Sequence, residues 1–327
     1  MPVYKVFGRN IESFISVKRW MKKLKARYRS ADRFDESTSK RNALYFLKIF
    51  CEMTGKDPDK LIEERTVHLK SDDELVRRQH EELVEDFSTY LREQGKAPSY
   101  ATTAVGWIRS FYKHNYKKLE DLTVAVGYPT RTYTVPRPPQ LRKIVEVADR
   151  KAKAWILCQA ESGISNIDLL NLTLDNVSPE FGTIKEQLKL GICPIHIRIV
   201  RFKTAAAGLG WYDTFWGKNA VEALNEFADL SRNRIFTFSD RYYEALVKKA
   251  AFNAKVGTEK APVTPYCLRR YFKTRMNLAN VNELTVEYWM GHKIARVKAG
   301  YNAPPVEDQI KVYLEAYPLL DINKVMA

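Results

Sequence analysis

Two segments near the end of the chain decide how it is read: Thr264-Pro-Tyr-Cys-Leu-Arg-Arg-Tyr271 and Met290-Gly-His-Lys-Ile-Ala-Arg-Val-Lys-Ala-Gly-Tyr301. They set an arginine, a histidine and a tyrosine in series. Arg269 lies 23 positions before His292, and His292 nine before Tyr301. Leu268, Tyr271, Phe272 and Met276 recur at helical spacing, as do Leu284, Tyr288 and Trp289, and Gly291 stands where a helix usually stops. Arg269 is therefore expected early in one helix, His292 just past the end of the next, and Tyr301 on a following loop or short helix. Lys293, Arg296 and Lys298 surround the tyrosine with positive charge.

This series suits phosphoryl transfer on a nucleic acid. A phenol with a pKa of about 10 is a weak nucleophile. Its target phosphate must be held and neutralised, and cations do both. An arginine meets two phosphate oxygens at once, and a histidine donates to a non-bridging oxygen or moves a proton. Each residue alone would be read as a surface or packing residue; the argument rests on the three together.

The stretch resembles the C-terminal signature of the tyrosine recombinases, the phage-integrase type: His-x-x-Arg, a Leu-Gly-His box, then the nucleophilic tyrosine about nine residues on. Here these are Tyr266-Cys-Leu-Arg269, Met290-Gly-His292 and Tyr301. Upstream, Glu161-Ser-Gly-Ile-Ser-Asn-Ile-Asp-Leu-Leu-Asn-Leu172 is similar to the box that carries the family's first catalytic arginine, but Ser165 stands at that position. Ser165 and Asp168 form a Ser-x-x-Asp capping pattern, so the site has a structural role as a helix start. The nearest arginines in sequence are Arg150 and Arg198. Tyr266 stands for the histidine of His-x-x-Arg and keeps a hydroxyl that can donate to phosphate.

The rest of the chain fits a nucleic-acid partner. It has 327 residues, 45% hydrophobic and 28% charged, with a net charge of +15 and 12% aromatics. Such an excess of positive charge points to a polyanion. No apolar run reaches the roughly 18 residues of a membrane span, and no signal-peptide core is present, so we expect a cytoplasmic, nucleoid-associated protein. Cys51, Cys158, Cys193 and Cys267 form no Cys-x-x-Cys pair, which argues against a zinc site or disulfide framework and for buried or inert thiols in a reducing compartment.

Residues 1–30 carry nine Lys or Arg and one acid, Glu12, beside Ile11, Phe14, Ile15, Val17, Trp20, Met21 and Leu24 at helix-like spacing. We read a basic amphipathic helix. Ser37 to Ser39 cap a helix through Leu44, Leu47 and Phe50 that Gly55 closes; the charged stretch 63–78 connects to a helix stopping at Gly95; Pro98-Ser99 starts another. This module of about four helices, 1–127, resembles the family's core-binding domain. Its expected DNA contacts, mostly to phosphate, are Arg41, Lys48, Ser99, Tyr100, Thr102, Arg109 and Lys113. Residues 128–139, rich in proline, read as a linker whose Arg131 and Arg137 lie along the duplex, with the two halves clamping it.

In the second domain, 140–327, we expect a helix over 140–152, another through Trp155 and Ala160, and a hairpin of 195–204 with 211–215. A further helix spans 238–252, and Val306–Tyr317 is helical, able to pack on a neighbouring protomer or on its own domain. The expected fold is mainly α with a small antiparallel β-sheet, a helical core-binding domain preceding a recombinase-type catalytic domain.

The resemblance implies site-specific strand exchange on double-stranded DNA. Tyr301 would form a 3′-phosphotyrosine, Arg269 and His292 would stabilise the transition state, and Lys203, on the hairpin, would protonate the leaving 5′ oxygen. Arg270, Lys293 and Arg296 would hold DNA nearby. The family's chemistry uses no metal or other cofactor, and its members act as tetramers on two duplexes while being monomers or dimers when free. Ser165 opens a second reading, a catalytically impaired DNA-binding relative with an architectural or regulatory role. A third is a general basic protein of RNA or membrane surfaces, in which Arg269, His292 and Tyr301 would lie apart.

Overall fold

The computed structural model describes residues 3–26, 34–35, 37–122, 132–200, 211–292 and 304–323. The chain divides into two compact units, Met1–Thr130 and Arg131–Ala327. Among the described residues both are helical, with only two-stranded antiparallel sheets.

The first unit opens with a hairpin of β1 (Lys5–Val6) and β2 (Arg9–Asn10). Helices α1 (Ile15–Lys25), α2 (Thr38–Thr54), α3 (Pro58–His68), α4 (Glu74–Glu93) and α5 (Pro98–His114) follow. The basic N-terminal helix is shorter than expected, because Ile11 and Phe14 enter the core from the turn before it. Ser37 caps α2 by accepting from the Lys40 N–H, and Gly55 ends it at φ +67.

The charged stretch 63–78, expected as a connection, instead supplies the end of α3 and the start of α4. Charge hid it. Arg65 and Glu81, each with a side chain only 2% exposed, pair at 2.5 Å in the interior, and Glu81 also accepts from the Glu120 N–H. A buried pair of this kind folds well only when both members keep their partners.

The second unit is built on helices α6 (Pro138–Val147), α7 (Arg150–Ser162) and α8 (Asn166–Asn171). The first of the two helices expected here ends earlier than 152: Asp149 accepts from the Ala152 N–H and already starts α7. Next come β3 (Val177–Ser178) with β4 (Gly182–Thr183), helix α9 (Ile184–Lys189), and β5 (Ile195–Val200) with β6 (Trp211–Trp216), paired from Ile195↔Trp216 to Val200↔Trp211. Helices α10 (Lys218–Phe227), α11 (Asp240–Asn253), α12 (Pro265–Leu278), α13 (Glu283–Trp289) and α14 (Val306–Ala316) complete it. Trp155 and Tyr243 stack at 4.3 Å in the core, and Phe215, Trp289 and Tyr313 meet edge to face or tilted.

The segment 306–323 packs on its own domain. Tyr313 is fully buried, and Leu320 and Ile322 almost so. Tyr317 donates to the buried carboxylate of Glu161 at 2.9 Å, and its ring fills the hollow that Gly217 leaves. Asn219 and the Ala220 N–H also donate to Glu161. Burial, opposed by these donors and aided by nearby Asp321, lifts the Glu161 carboxyl to about 7. Residues 132–134, expected in a linker, are extended and bonded to the loop before α12: Thr132 and Thr134 donate to the carbonyls of Lys260 and Ala261.

Candidate functional site

Arg269 sits in the second turn of α12, whose first turn is set by Pro265 at its start. Its guanidinium reaches across to two loops. Nη1 donates to the Gly163 carbonyl, and Nη2 to the Met290 carbonyl at 2.7 Å. Gly163 is two residues before Ser165, and Met290 two before His292. One side chain therefore draws the 165 position, the 269 position and the 292 position together. Two of its five N–H donors are used this way, and three remain for a ligand. Burial pushes this guanidinium below its ordinary pKa, while Tyr212, Asp168, Glu287 and Tyr266 act in the opposite sense.

The close packing needs two glycines. Gly163 has φ +63, and a Cβ there would lie 2.5 Å from the Phe272 ring. Gly291 has φ +69, and a Cβ there would lie 2.6 Å from the Tyr212 ring. Both sites combine a left-handed backbone with no room for a side chain.

Ser165 caps α8 as its spacing predicts. Its Oγ accepts from the Asp168 N–H and donates to Asp168 Oδ2 at 2.7 Å, and Tyr212 donates to the same oxygen at 3.0 Å. Among the described residues no cationic group bonds to Ser165.

His292 lies just past α13, its side chain 43% exposed. Its Nδ1 bonds to Glu287, which Lys273 also contacts at 2.6 Å. Burial raises the Glu287 carboxyl, but the hydrogen bonds from Lys273 and His292 outweigh it and hold the group below its usual range. Sequence reasoning missed Glu287; it lies one helical turn and a cap before His292, and no motif marks it.

A second polar cluster anchors the hairpin to α13. Asp213 accepts from Arg198 at 2.8 Å and Tyr288 at 2.7 Å and contacts His196 at 3.1 Å. Burial raises its carboxyl, and these partners together hold it below the usual range. His196 also meets Ser178 at 2.7 Å. The set resembles a hydrolytic Ser-His-Asp array, but Ser178, His196 and Asp213 are at most 1% exposed, so no substrate reaches it.

Of the other expected residues, Tyr266 is 56% exposed, edge to face with Tyr133 at 5.9 Å and beneath the Arg270 guanidinium. Arg41, Thr102, Arg109, Lys113 and Arg137 are exposed. Lys48 pairs with Glu52 along α2, and Tyr100 is half-buried against Phe46. Arg109 and Lys113 share a groove with Lys118. Lys203, Tyr301, Arg131, Lys293 and Arg296 lie outside the described residues. Of the expected catalytic residues, Arg269 thus bonds to the backbone two residues before His292, and it also reaches the loop of Ser165, the position of the missing arginine. Cys193 is exposed, unlike the three buried cysteines. Among the described residues, no helix is long and apolar enough to cross a membrane.

No family model matches the sequence, and no curated protein matches it. Solved structures do match by shape. A lambda integrase tetramer bound to a Holliday junction aligns with TM-score 0.55 and 12% identity, over 88% of this chain and 76% of that one. The Tn1549 transposon integrase in complex with circular intermediate DNA aligns with TM-score 0.53 and 14% identity, over 91% and 98%. A lambda integrase dimer bound to a COC′ core site gives 0.50 and 10%, over 85% and 94%. The fold is that of the tyrosine recombinases and integrases.

Proposed function

We propose that this chain is a site-specific DNA recombinase or integrase. Tyr301, its phenolic proton passing to solvent, attacks a backbone phosphorus; its oxygen bonds to the 3′ phosphate, and the 5′ oxygen leaves, taking a proton from Lys203. Attack by a 5′ hydroxyl reverses the step on another strand. Arg269 and His292 donate to the non-bridging oxygens as negative charge builds, with Tyr266 beside them. Arg41, Lys48, Tyr100, Thr102, Arg109, Lys113, Arg131, Arg137, Arg270, Lys293 and Arg296 carry the duplex. The active assembly is a tetramer on two double-stranded DNA sites. The observation that carries the reading is Arg269, whose bonds to Gly163 and Met290 gather the three loops while leaving donors unused.

The test is covalent capture. The protein is incubated with a random library of nicked duplexes, and DNA that stays attached after denaturation is sequenced. The parent yields an adduct through Tyr301, and Tyr301→Phe yields none. An equal adduct from Tyr301→Phe would refute the nucleophile. A second reading, an architectural DNA-binding relative, is favoured by Ser165, whose hydroxyl is committed to Asp168. It is supported if duplex binding is tight and salt-dependent while no adduct forms.

A further inference from the structure

We infer that the side-chain amide of Asn166, oriented by buried Gln159, is the hydrogen-bond donor to a DNA phosphate where Ser165 supplies no charge. The inference rests on the site proposed above.

Gln159 is fully buried. Its Nε2 donates to the Ile164 carbonyl at 3.1 Å, and a carbonyl only accepts, so the orientation of this amide is fixed. The same nitrogen donates to Asn166 Oδ1 at 2.7 Å. That assigns the Asn166 amide in turn: its oxygen faces the interior, and its Nδ2, with two N–H donors, is the free end. Asn166 is half-buried and lines a cleft of about 450 Å³ together with Tyr266, Tyr133, Lys260, Lys248, Glu244 and Glu259.

The unused groups in this cleft are mostly donors. Lys248 and Glu244 pair with each other at 2.6 Å. Asn166 Nδ2, the Tyr266 hydroxyl and Lys260 have no hydrogen-bonding or ionic partner among the described residues, and Glu259 is the one acid left unpaired there. A ligand with several acceptor oxygens and a negative charge satisfies such a set. Tyr266, a wall of this cleft, lies three residues before Arg269 on α12 and acts electrostatically on its guanidinium. A DNA phosphodiester bound by Arg269 would meet Asn166 from the side that Ser165 leaves bare. A preorganised neutral amide is a known means of stabilising an oxyanion, worth about 10²–10³ in rate where measured.

Two variants separate a phosphate contact from a packing role. Asn166→Asp keeps an acceptor for Gln159 but replaces the outward donors with a negative acceptor. Asn166→Ala removes both. Duplex affinity, salt slope and covalent capture are read on each and on Ser165→Arg combined with Asn166→Ala. We expect Asn166→Ala to weaken duplex binding about ten-fold with the salt slope unchanged, since the lost donor is neutral. Asn166→Asp should weaken it more, and Ser165→Arg should restore it. Parental affinity in folded Asn166→Asp, or no recovery with Ser165→Arg, overturns the inference whatever capture shows. A parent that binds but never forms an adduct, with Asn166→Asp still weak, keeps the donor and removes the strand-exchange reading. A parent without duplex affinity removes both.

Discussion

At the scale of single residues, the site depends on backbone that cannot accept substitution. Gly291→Ala adds a methyl group against the Tyr212 ring and forces a left-handed backbone on a residue that disfavours it. We expect a loss of about 1–3 kcal/mol, read as a lower urea midpoint. Arg269→Lys keeps the charge but not the two-pronged reach to Gly163 and Met290. It should abolish covalent capture while leaving most duplex affinity, which a capture assay and a binding titration would show together. These residues were legible in different degrees. Arg269 and His292 stood out through their spacing, and Ser165 through its Ser-x-x-Asp cap. Glu287 and Gln159 did not, because each acts only through a neighbour that folding brings to it, and a lone acid or amide in a helix carries no pattern.

At the scale of elements, the C-terminal segment is held by a carboxyl whose ionisation opposes folding. Glu161 has an ordinary value of 4.5 and rises to about 7 when buried. Between those values the native state keeps a proton that the unfolded chain has lost, so stability falls as pH rises through this window. The effect is at most about 3 kcal/mol. Urea midpoints from pH 5 to 8 should decline for the parent and stay flatter for Glu161→Gln; parallel curves would refute the argument. Helices with apolar periodicity and clear caps, such as α2, α5 and α12, were readable in the sequence. The end of α3 and the start of α4 were not, because a buried Arg65–Glu81 pair looks like solvated charge. The break between α6 and α7 was expected a few residues too late, because Asp149 caps the new helix without a glycine or proline to mark the stop. The short helices α9 and α10 went unread beside the strands they flank.

At the scale of the whole molecule, the net charge of +15 predicts binding dominated by phosphate contacts. If six or more phosphates are neutralised, affinity for a duplex should drop on the order of 10³-fold between 50 and 200 mM salt, measured as the slope of log affinity against log salt. A flat response would contradict a polyanion partner. Composition made this visible at once, and the fold class followed from the last quarter of the chain. The docking of residues 306–323 was not decided by sequence, since an apolar helix fits a neighbour or its own domain equally well.

That docking bears on how the protein can be handled. A reading frame stopped near position 303 would remove Tyr313, Tyr317, Leu320 and Ile322 from an interior they now fill. The shortened product would present a greasy furrow over Trp289 and Phe215, and we would look for it in inclusion bodies rather than in the soluble lysate.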